Sequence, residues 1–190
     1  MDVVDFMLTR RSPKAETLAD PAPDTAQLET ILRAATRVPD HGRLAPWRIQ
    51  VVHKPGQAKL GELVERLYKA DNPDTNDRQL EFERNRLQRA PLLLVVTLKP
   101  VESRKIPQVE QLLSAGAVCY GIVITAGGMG FGAQWLTEWP AFRPEVVEAL
   151  GHDPETDRIV GFVYLGTSSE APKERQRPNL DDVCSDWAGE

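Results

Sequence analysis

Apolar residues along the chain alternate between helical and strand spacing. Residues 2–10 set Val3, Val4, Phe6, Met7 and Leu8 on a short amphipathic helix. Pro13 stops it, because the residue before a proline avoids the helical region. Pro21 and Pro23 mark a turn, and Asp24 or Thr25 offers the oxygen that caps a second helix. Leu28, Ile31, Leu32 and Ala35 give that helix its apolar side, and Pro39 ends it. Residues 47–53, with Ile49, Val51 and Val52, read as a strand. Two charge-rich amphipathic helices follow over 55–70 and 76–89, joined by a polar loop around Pro73. The second carries Leu80, Phe82 and Leu87 among many charges and reads as mostly solvated. Residues 92–98 form a continuous apolar run, the mark of a buried strand. A long helix over 107–127, a short strand over 131–136, a short helix over 145–150 and a core strand over 158–165 complete the pattern. Strands that alternate with helices predict a layered α+β or α/β fold.

One stretch changes the picture. No residue from 111 to 137 is charged, a length that would cross a membrane. Six glycines interrupt it: Gly116, Gly121, Gly127, Gly128, Gly130 and Gly132. The last four end the helix near Gly127, so the segment reads as a protein centre or an interface, not a membrane span. Gly116 and Gly121 would let a second helix approach closely. The 190 residues suit one domain, 1–190, with the Pro-rich, charged stretch 168–190 as an arm on a partner or a flexible end. A net charge of −5 argues against a nucleic-acid surface. Cys119 and Cys184 lie in no metal or redox pattern, and His41, His53 and His152 are too scattered for a metal site. The N-terminus lacks the basic and apolar regions of a secretory signal. A cytoplasmic protein with reduced thiols is expected.

Three segments carry candidate chemistry. Arg10-Arg11-Ser12-Pro13-Lys14 combines cations and a hydroxyl, which suits a phosphate monoester. The same basic residues at a helix end would also complement the helix dipole. The second segment runs from Arg37 through Asp40 and His41 to Pro46 and Trp47, where Trp47 reads as packing at a strand entry. The third is Gly130-Phe131-Gly132-Ala133-Gln134-Trp135-Leu136-Thr137. Its glycines follow a helix and not a strand, so they are not a dinucleotide-binding fingerprint. They fit a helix C-terminus with left-handed positions, which would lead the chain close past a flat ligand.

The order and spacing of these pieces over residues 1–167 resemble the flavin-dependent nitroreductase family, most closely its compact NAD(P)H nitroreductase branch. The resemblance implies a three-layer α-β-α fold of the α+β class, with a central, mostly antiparallel sheet, built as an intertwined homodimer. It implies that Arg10 and Ser12, with at least the backbone of Arg11, hold the phosphate and ribityl end of FMN. Lys14 would lie near the pyrimidine edge of the ring, where it is otherwise a solvated lysine. Arg37-Val38-Pro39-Asp40-His41 matches the branch, so Arg37 and His41 would reach a flavin shared between subunits. Trp135, Leu136 and Thr137 match the place where backbone and hydroxyl meet the flavin edge, with Leu136 standing where an arginine is common. Thr125, Ala126, Gly127, Gly128, Met129 and Gly130 align with the helix end that the branch uses for the nicotinamide nucleotide. Arg175 and Arg177 are a solvated charge run or an approach to the phosphate.

The activity so implied is FMN-dependent oxidation of NADH or NADPH, with reduction of a small electron-poor acceptor such as a nitroaromatic or a quinone. Flavin carries the hydride chemistry, so no side-chain nucleophile or metal is needed. Two alternatives share the scaffold: an FMN store or sensor without turnover, and a flavin-dependent dehalogenase or oxygenase with a lid over 71–89.

Overall fold

In a computed structural model, which describes residues 2–170 and 172–189, the chain folds around a five-stranded sheet. The strands are β1 (Leu18–Ala19), β2 (Trp47–Val52), β3 (Leu92–Leu98), β4 (Gly132–Leu136) and β5 (Arg158–Ser168). β3 lies between β2 and β5, β4 pairs with β5, and β1 pairs with the last two residues of β5. Every pairing among the described residues is antiparallel. The helices are α1 (Val3–Thr9), α2 (Thr25–Ala35), α3 (Lys54–Asp71), α4 (Asp77–Asn85), α5 (Gln108–Gly128) and α6 (Pro144–Ala149).

Strand alternation sorts the core into two halves. Leu94, Val96, Val163 and Leu165 face α2 and α5, where they meet Ile31, Ala35, Val118, Cys119, Ile122 and Ala126. Leu93, Val95, Phe162 and Tyr164 face α3 and α6, where they meet Leu60, Val64, Leu67, Val146 and Val147. Both faces of β3 are covered, and all seven of its residues are buried. This is the three-layer α-β-α stack of the α+β class. It also accounts for the membrane-length helix, since α5 is the core helix of one layer.

Local chemistry sets the helix ends. The Asp24 carboxylate accepts the Gln27 N–H at 2.8 Å, and the Gln27 amide oxygen accepts the Asp24 N–H at 2.9 Å, a reciprocal cap on α2. The helix stops at Ala35 and not at Pro39. The chain turns early and brings the Pro39 carbonyl to the Ser114 hydroxyl on α5, at 2.7 Å. α5 ends in a reciprocal pair of backbone bonds, Phe131 N–H to Ala126 O and Gly130 N–H to Gly127 O, with Gly130 at φ +88°. That pairing is the Schellman motif, which favours glycine at the left-handed position.

Two expectations are corrected here. Gly121 does admit a second helix, but it is the chain's own α2. A Cβ on Gly121 would lie 2.9 Å from the Ala35 backbone. Gly116 faces the ring of Trp135 and not another helix. The region 76–89 is not one helix, and although mostly solvated it buries Glu83 and Leu87. α4 breaks after Asn85, and a 3₁₀ turn, Arg86–Gln88, carries Leu87 fully into the core. Glu83 is also buried, where it accepts from Arg86 Nε at 2.6 Å, Trp139 Nε1 at 3.0 Å and Gln79 Nε2 at 3.0 Å. Arg143 pairs with Asp71 at the end of α3. Of the 71–89 segment on which a lid was expected, these contacts anchor the two ends.

Burial pushes the Glu83 carboxyl up, but its bonds to Arg86, Trp139 and Gln79 together outweigh burial and hold it below the ordinary carboxylate value of 4.5. Folding therefore favours the charged form. Its stabilisation is complete above the ordinary carboxylate range and is lost as pH falls through the lowered value. Glu83→Gln should cost about 1–3 kcal/mol near neutral pH, because buried Arg86 loses two charge-assisted bonds and keeps only Glu138. Urea unfolding at a series of pH values should show this gap narrowing as pH falls below the ordinary carboxylate range. A gap independent of pH would show that the charge of Glu83 is irrelevant to folding.

Candidate functional site

A break in the central strand builds one edge of the site. Val96 pairs with Gly161 and Thr97 with Ile159, so Val160 is an extra residue in β5. Such a bulge re-aims neighbouring groups. Here the Val160 carbonyl accepts two bonds from β4 and its exit, from Trp135 Nε1 at 3.3 Å and Thr137 Oγ1 at 3.1 Å. The indole fills the place of a side chain at position 161, since a Cβ on Gly161 would lie 2.0 Å from Trp135 Nε1. Trp135 extends towards Gly116 in the middle of α5 and stays 37% exposed. The Leu136 side chain turns to the opposite face and packs on the α3–α6 half of the core. Leu136 can therefore offer a ligand only its backbone.

The N-terminal basic segment runs past the other end of α5. Arg10 Nη2 donates to Ser12 Oγ at 2.9 Å, and its guanidinium lies 5.8 Å from the centre of the Tyr120 ring. The Arg11 side chain is 17% exposed, and its Nη1 reaches Glu174 at 3.4 Å. Its Nε is buried without an acceptor among the described residues. Among the described residues, Arg10 bonds Ser12 and Arg11 bonds Glu174, and neither guanidinium bonds a last carbonyl of α1, the helix that this segment ends. Arg10 and Arg11 share a cavity of about 210 Å³ with Gly127, Gly130 and Gly132. Arg11, Ser12 and the exposed Lys14 also line a groove of about 950 Å³, whose far wall includes Lys173, Glu174 and Arg175. The Ala15 N–H donates to Gln134 Oε1 at 2.6 Å and ties this segment to β4.

The glycines at this end do not act as one surface. A Cβ on Gly127 would meet the Phe6 ring at 2.9 Å, and one on Gly132 would meet Leu18 and Pro13. These two admit the chain's own N-terminal segment. Gly128 and Gly130 face open space. The segment Thr125–Gly130 divides likewise: the Ala126 side chain is wholly in the core and cannot touch a dinucleotide, while Gly128, Met129 and Gly130 are exposed.

At the N-terminal end of α5, Asp40 holds a tight loop. Its carboxylate accepts the N–H groups of Leu44 at 3.1 Å and Ala45 at 2.9 Å. Gly42, Arg43 and Ala45 take positive φ there, an uncommon set for non-glycine residues. The loop presents His41, whose Nδ1 lies 2.7 Å from Glu110 Oε2. Pro39, His41, Glu110, Leu113, Ser114 and Ala117 line a cavity of about 300 Å³, and Arg37 is exposed nearby in sequence. Glu110 was not among the expected site residues, although it is the last charge before the uncharged stretch. Trp47 packs in the core, as its place at a strand entry implied.

The expected residues thus form three groups along one helix. Arg10 and Arg11 lie by its C-terminal end, with Ser12 and Lys14 next in the chain; Trp135 reaches its middle; His41 lies at its start, where Thr137 lines a cavity with Gln108, Val109 and Leu112. Glu110 and Gly127 are separated by about 25 Å along the axis at 1.5 Å per residue. No thiol joins these groups: burial pushes the Cys119 thiol up to about 12, far above neutrality. The Trp135 shelf makes a direct test. Gly161→Ala should expel the indole and destabilise the fold by about 1–3 kcal/mol in urea unfolding. Unchanged stability would show that Trp135 does not depend on the empty position.

The comparisons with known proteins agree with this architecture. "Putative NAD(P)H nitroreductase YdjA" of Escherichia coli (strain K12) is 39% identical over 167 residues, 88% of each chain. The crystal structure of a nitroreductase-like family protein from Bacillus cereus superposes with a TM-score of 0.82 at 23% identity, over 100% of this chain and 97% of that one. A "putative nitroreductase in complex with FMN" from Desulfovibrio desulfuricans superposes with a TM-score of 0.73 at 19% identity, over 98% of this chain and 97% of that one. The sequence model of the nitroreductase family matches residues 7–167, from within α1 to the penultimate residue of β5. The match takes in every strand and helix that builds the two core halves, and on that extent the chain belongs to the nitroreductase family.

Proposed function

We propose that the protein is an FMN-dependent NAD(P)H oxidoreductase that reduces small electron-poor acceptors. The observation that carries this reading is the buried Arg11 Nε, unpaired among the described residues, beside Arg10 and Ser12 at an open end of α5. A buried donor without an acceptor is costly, and a phosphate oxygen would satisfy it. The side chain of Arg11 then joins Arg10 and Ser12 in holding the phosphate. The short basic segment fits a mononucleotide, and the YdjA and Desulfovibrio names point to NAD(P)H and FMN in proteins of this kind.

When bound, the flavin supplies two-electron transfer from NADH or NADPH to a nitroaromatic or quinone, with the nicotinamide leaving before the acceptor enters. The residues of the chain bind and orient. Lys14 would supply an ammonium towards the flavin, a preorganised contact worth several kcal/mol (about 2.7–4 for one well-aimed donor). Trp135 and Thr137, fixed by the Val160 carbonyl, would offer the flavin a rigid edge. Gly128, Met129 and Gly130 remain the accessible part of the nicotinamide-binding segment.

The reading includes a homodimer. The exposed side of α5 is apolar, with Val109 59% and Leu113 68% exposed, and α1 buries no residue of its own. Two copies of α5 packed antiparallel about a two-fold axis would cover this surface. That pairing would also bring the His41 end of one helix to the Arg10 end of the other, so that Arg37 and His41 serve the partner's flavin. The enzyme so built is a cytoplasmic one.

Titration of the purified protein with FMN tests the reading, followed by NADH or NADPH under anaerobic conditions. Tight binding and bleaching by the dinucleotide are expected; no flavin binding at excess FMN would reject the function. Arg10→Ala should weaken FMN binding by about 1.5–3 kcal/mol, the value of a charge-assisted contact. Lys14→Ala should bind FMN nearly as well and be reduced more slowly in stopped flow. Equal reduction rates would assign Lys14 to the solvated surface.

A further inference from the structure

Five charged residues that the proposed chemistry does not use form one connected network. Arg89 Nη2 donates to both oxygens of Glu138, at 2.7 and 2.8 Å, and Arg89 Nη1 lies 3.2 Å from Glu16 Oε1. Arg86 Nη1 donates to the same Glu138 at 2.5 Å, while its Nε and Nη2 bind Glu83 at 2.6 and 2.7 Å. Both arginines are almost fully covered, with side chains 11% and 12% exposed. The guanidinium of Arg89 lies 5.6 Å from the centre of the Tyr164 ring on β5, so it is also held from below.

The two ends of this network fall at the two halves of the candidate site. Glu138 directly follows Thr137, and Glu16 lies two residues beyond Lys14. Neither Lys14 nor Thr137 is inside a helix or strand, so neither has a regular backbone ladder to hold it. Arg89 spans the gap between them. The bridge gains little net stability, because desolvation offsets much of the attraction at Glu138 and solvent screens it at the exposed Glu16. What it does supply is a fixed distance between two otherwise irregular segments.

We propose that Arg89 is a positioning residue that sets the phosphate-binding segment Arg10–Lys14 against the Trp135–Thr137 edge, so that one mononucleotide can contact both. This rests on the FMN reading above. In this account Glu16 and Glu138 are the two handles, and Arg86 with Glu83 orients Glu138 towards Arg89. The bond from Ala15 N–H to Gln134 is a second, neutral tie between the same two segments.

The test compares wild type, Glu16→Gln, Arg89→Lys and Arg89→Met. Three readouts are taken: FMN dissociation constant by fluorescence titration, visible circular dichroism of the bound flavin at saturation, and Tm of the FMN-free protein. Glu16 is largely exposed, so Glu16→Gln keeps the fold and decides the matter even where Arg89→Met does not fold. The proposal expects Glu16→Gln to raise the dissociation constant about fivefold or more. It expects an altered flavin dichroism and a Tm within about 2 °C of wild type. Arg89→Lys, which keeps the charge but reaches one carboxylate, should fall between wild type and Arg89→Met. Unchanged affinity and dichroism in Glu16→Gln, whatever the Tm, would overturn the positioning role. Wild type that binds no FMN would instead reject the cofactor reading beneath it.

Discussion

The cost of leaving an uncharged helix in water governs this structure. From Gln111 to Gly128, α5 offers no charge on any face. Each large apolar side chain left exposed forgoes about 1.5–3 kcal/mol of burial. The sheet takes one side of the helix, where Val118, Ile122 and Ala126 are fully buried, and α2 closes on Gly121. The N-terminal segment covers its end by packing Phe6 on Gly127. The His41 loop covers its start through Glu110 and Ser114. Arg10, Trp135 and His41 are therefore set against α5 through Tyr120, Gly116 and Glu110, and the helix keeps exposed apolar residues such as Val109 and Leu113. That distribution is what ties the proposed site to the proposed dimer.

The register shift between β3 and β5 falls beside the same helix. The β5 bulge at Val160 costs one residue of ladder and yields a carbonyl that fixes Trp135 and Thr137 together. Gly161 next to it leaves room for the indole. On the opposite face of the sheet, the charges around Arg89 hold the segments that flank this edge. Regular packing supplies the frame, and a bulge, a glycine and a buried charge bridge adjust its rim.

Periodicity made most of this frame legible. The continuous apolar run of β3, the helical spacing of Ile31 and Ala35 on α2, and the Asp24 cap all follow from local sequence and stand in the structure. β1 escaped notice because two residues cannot show an alternation. The break after Asn85 escaped it because Arg86, Leu87 and Gln88 are good helix formers, and only the pull of Leu87 into the core ends the helix. The charge network was illegible for a different reason. Glu16, Glu83, Arg89 and Glu138 are distant in sequence, and each alone resembles a solvated charge. At the candidate site, the direction of Leu136 was readable, since strand period two sets it opposite Trp135. The burial of Ala126 was readable from helical spacing with Ile122. The pairing of His41 with Glu110 was not, because it depends on how the left-handed loop at Gly42 returns the chain to α5.

The central claim is that one chain holds only parts of a flavin site, spread along α5, and that two chains complete it. Sedimentation velocity at micromolar protein, recorded at protein and flavin wavelengths with and without added FMN, tests this most directly. The account predicts a dimer that carries about two flavins, with FMN shifting any monomer towards it by mass action. A stable monomer that sediments with a full complement of bound FMN would contradict it.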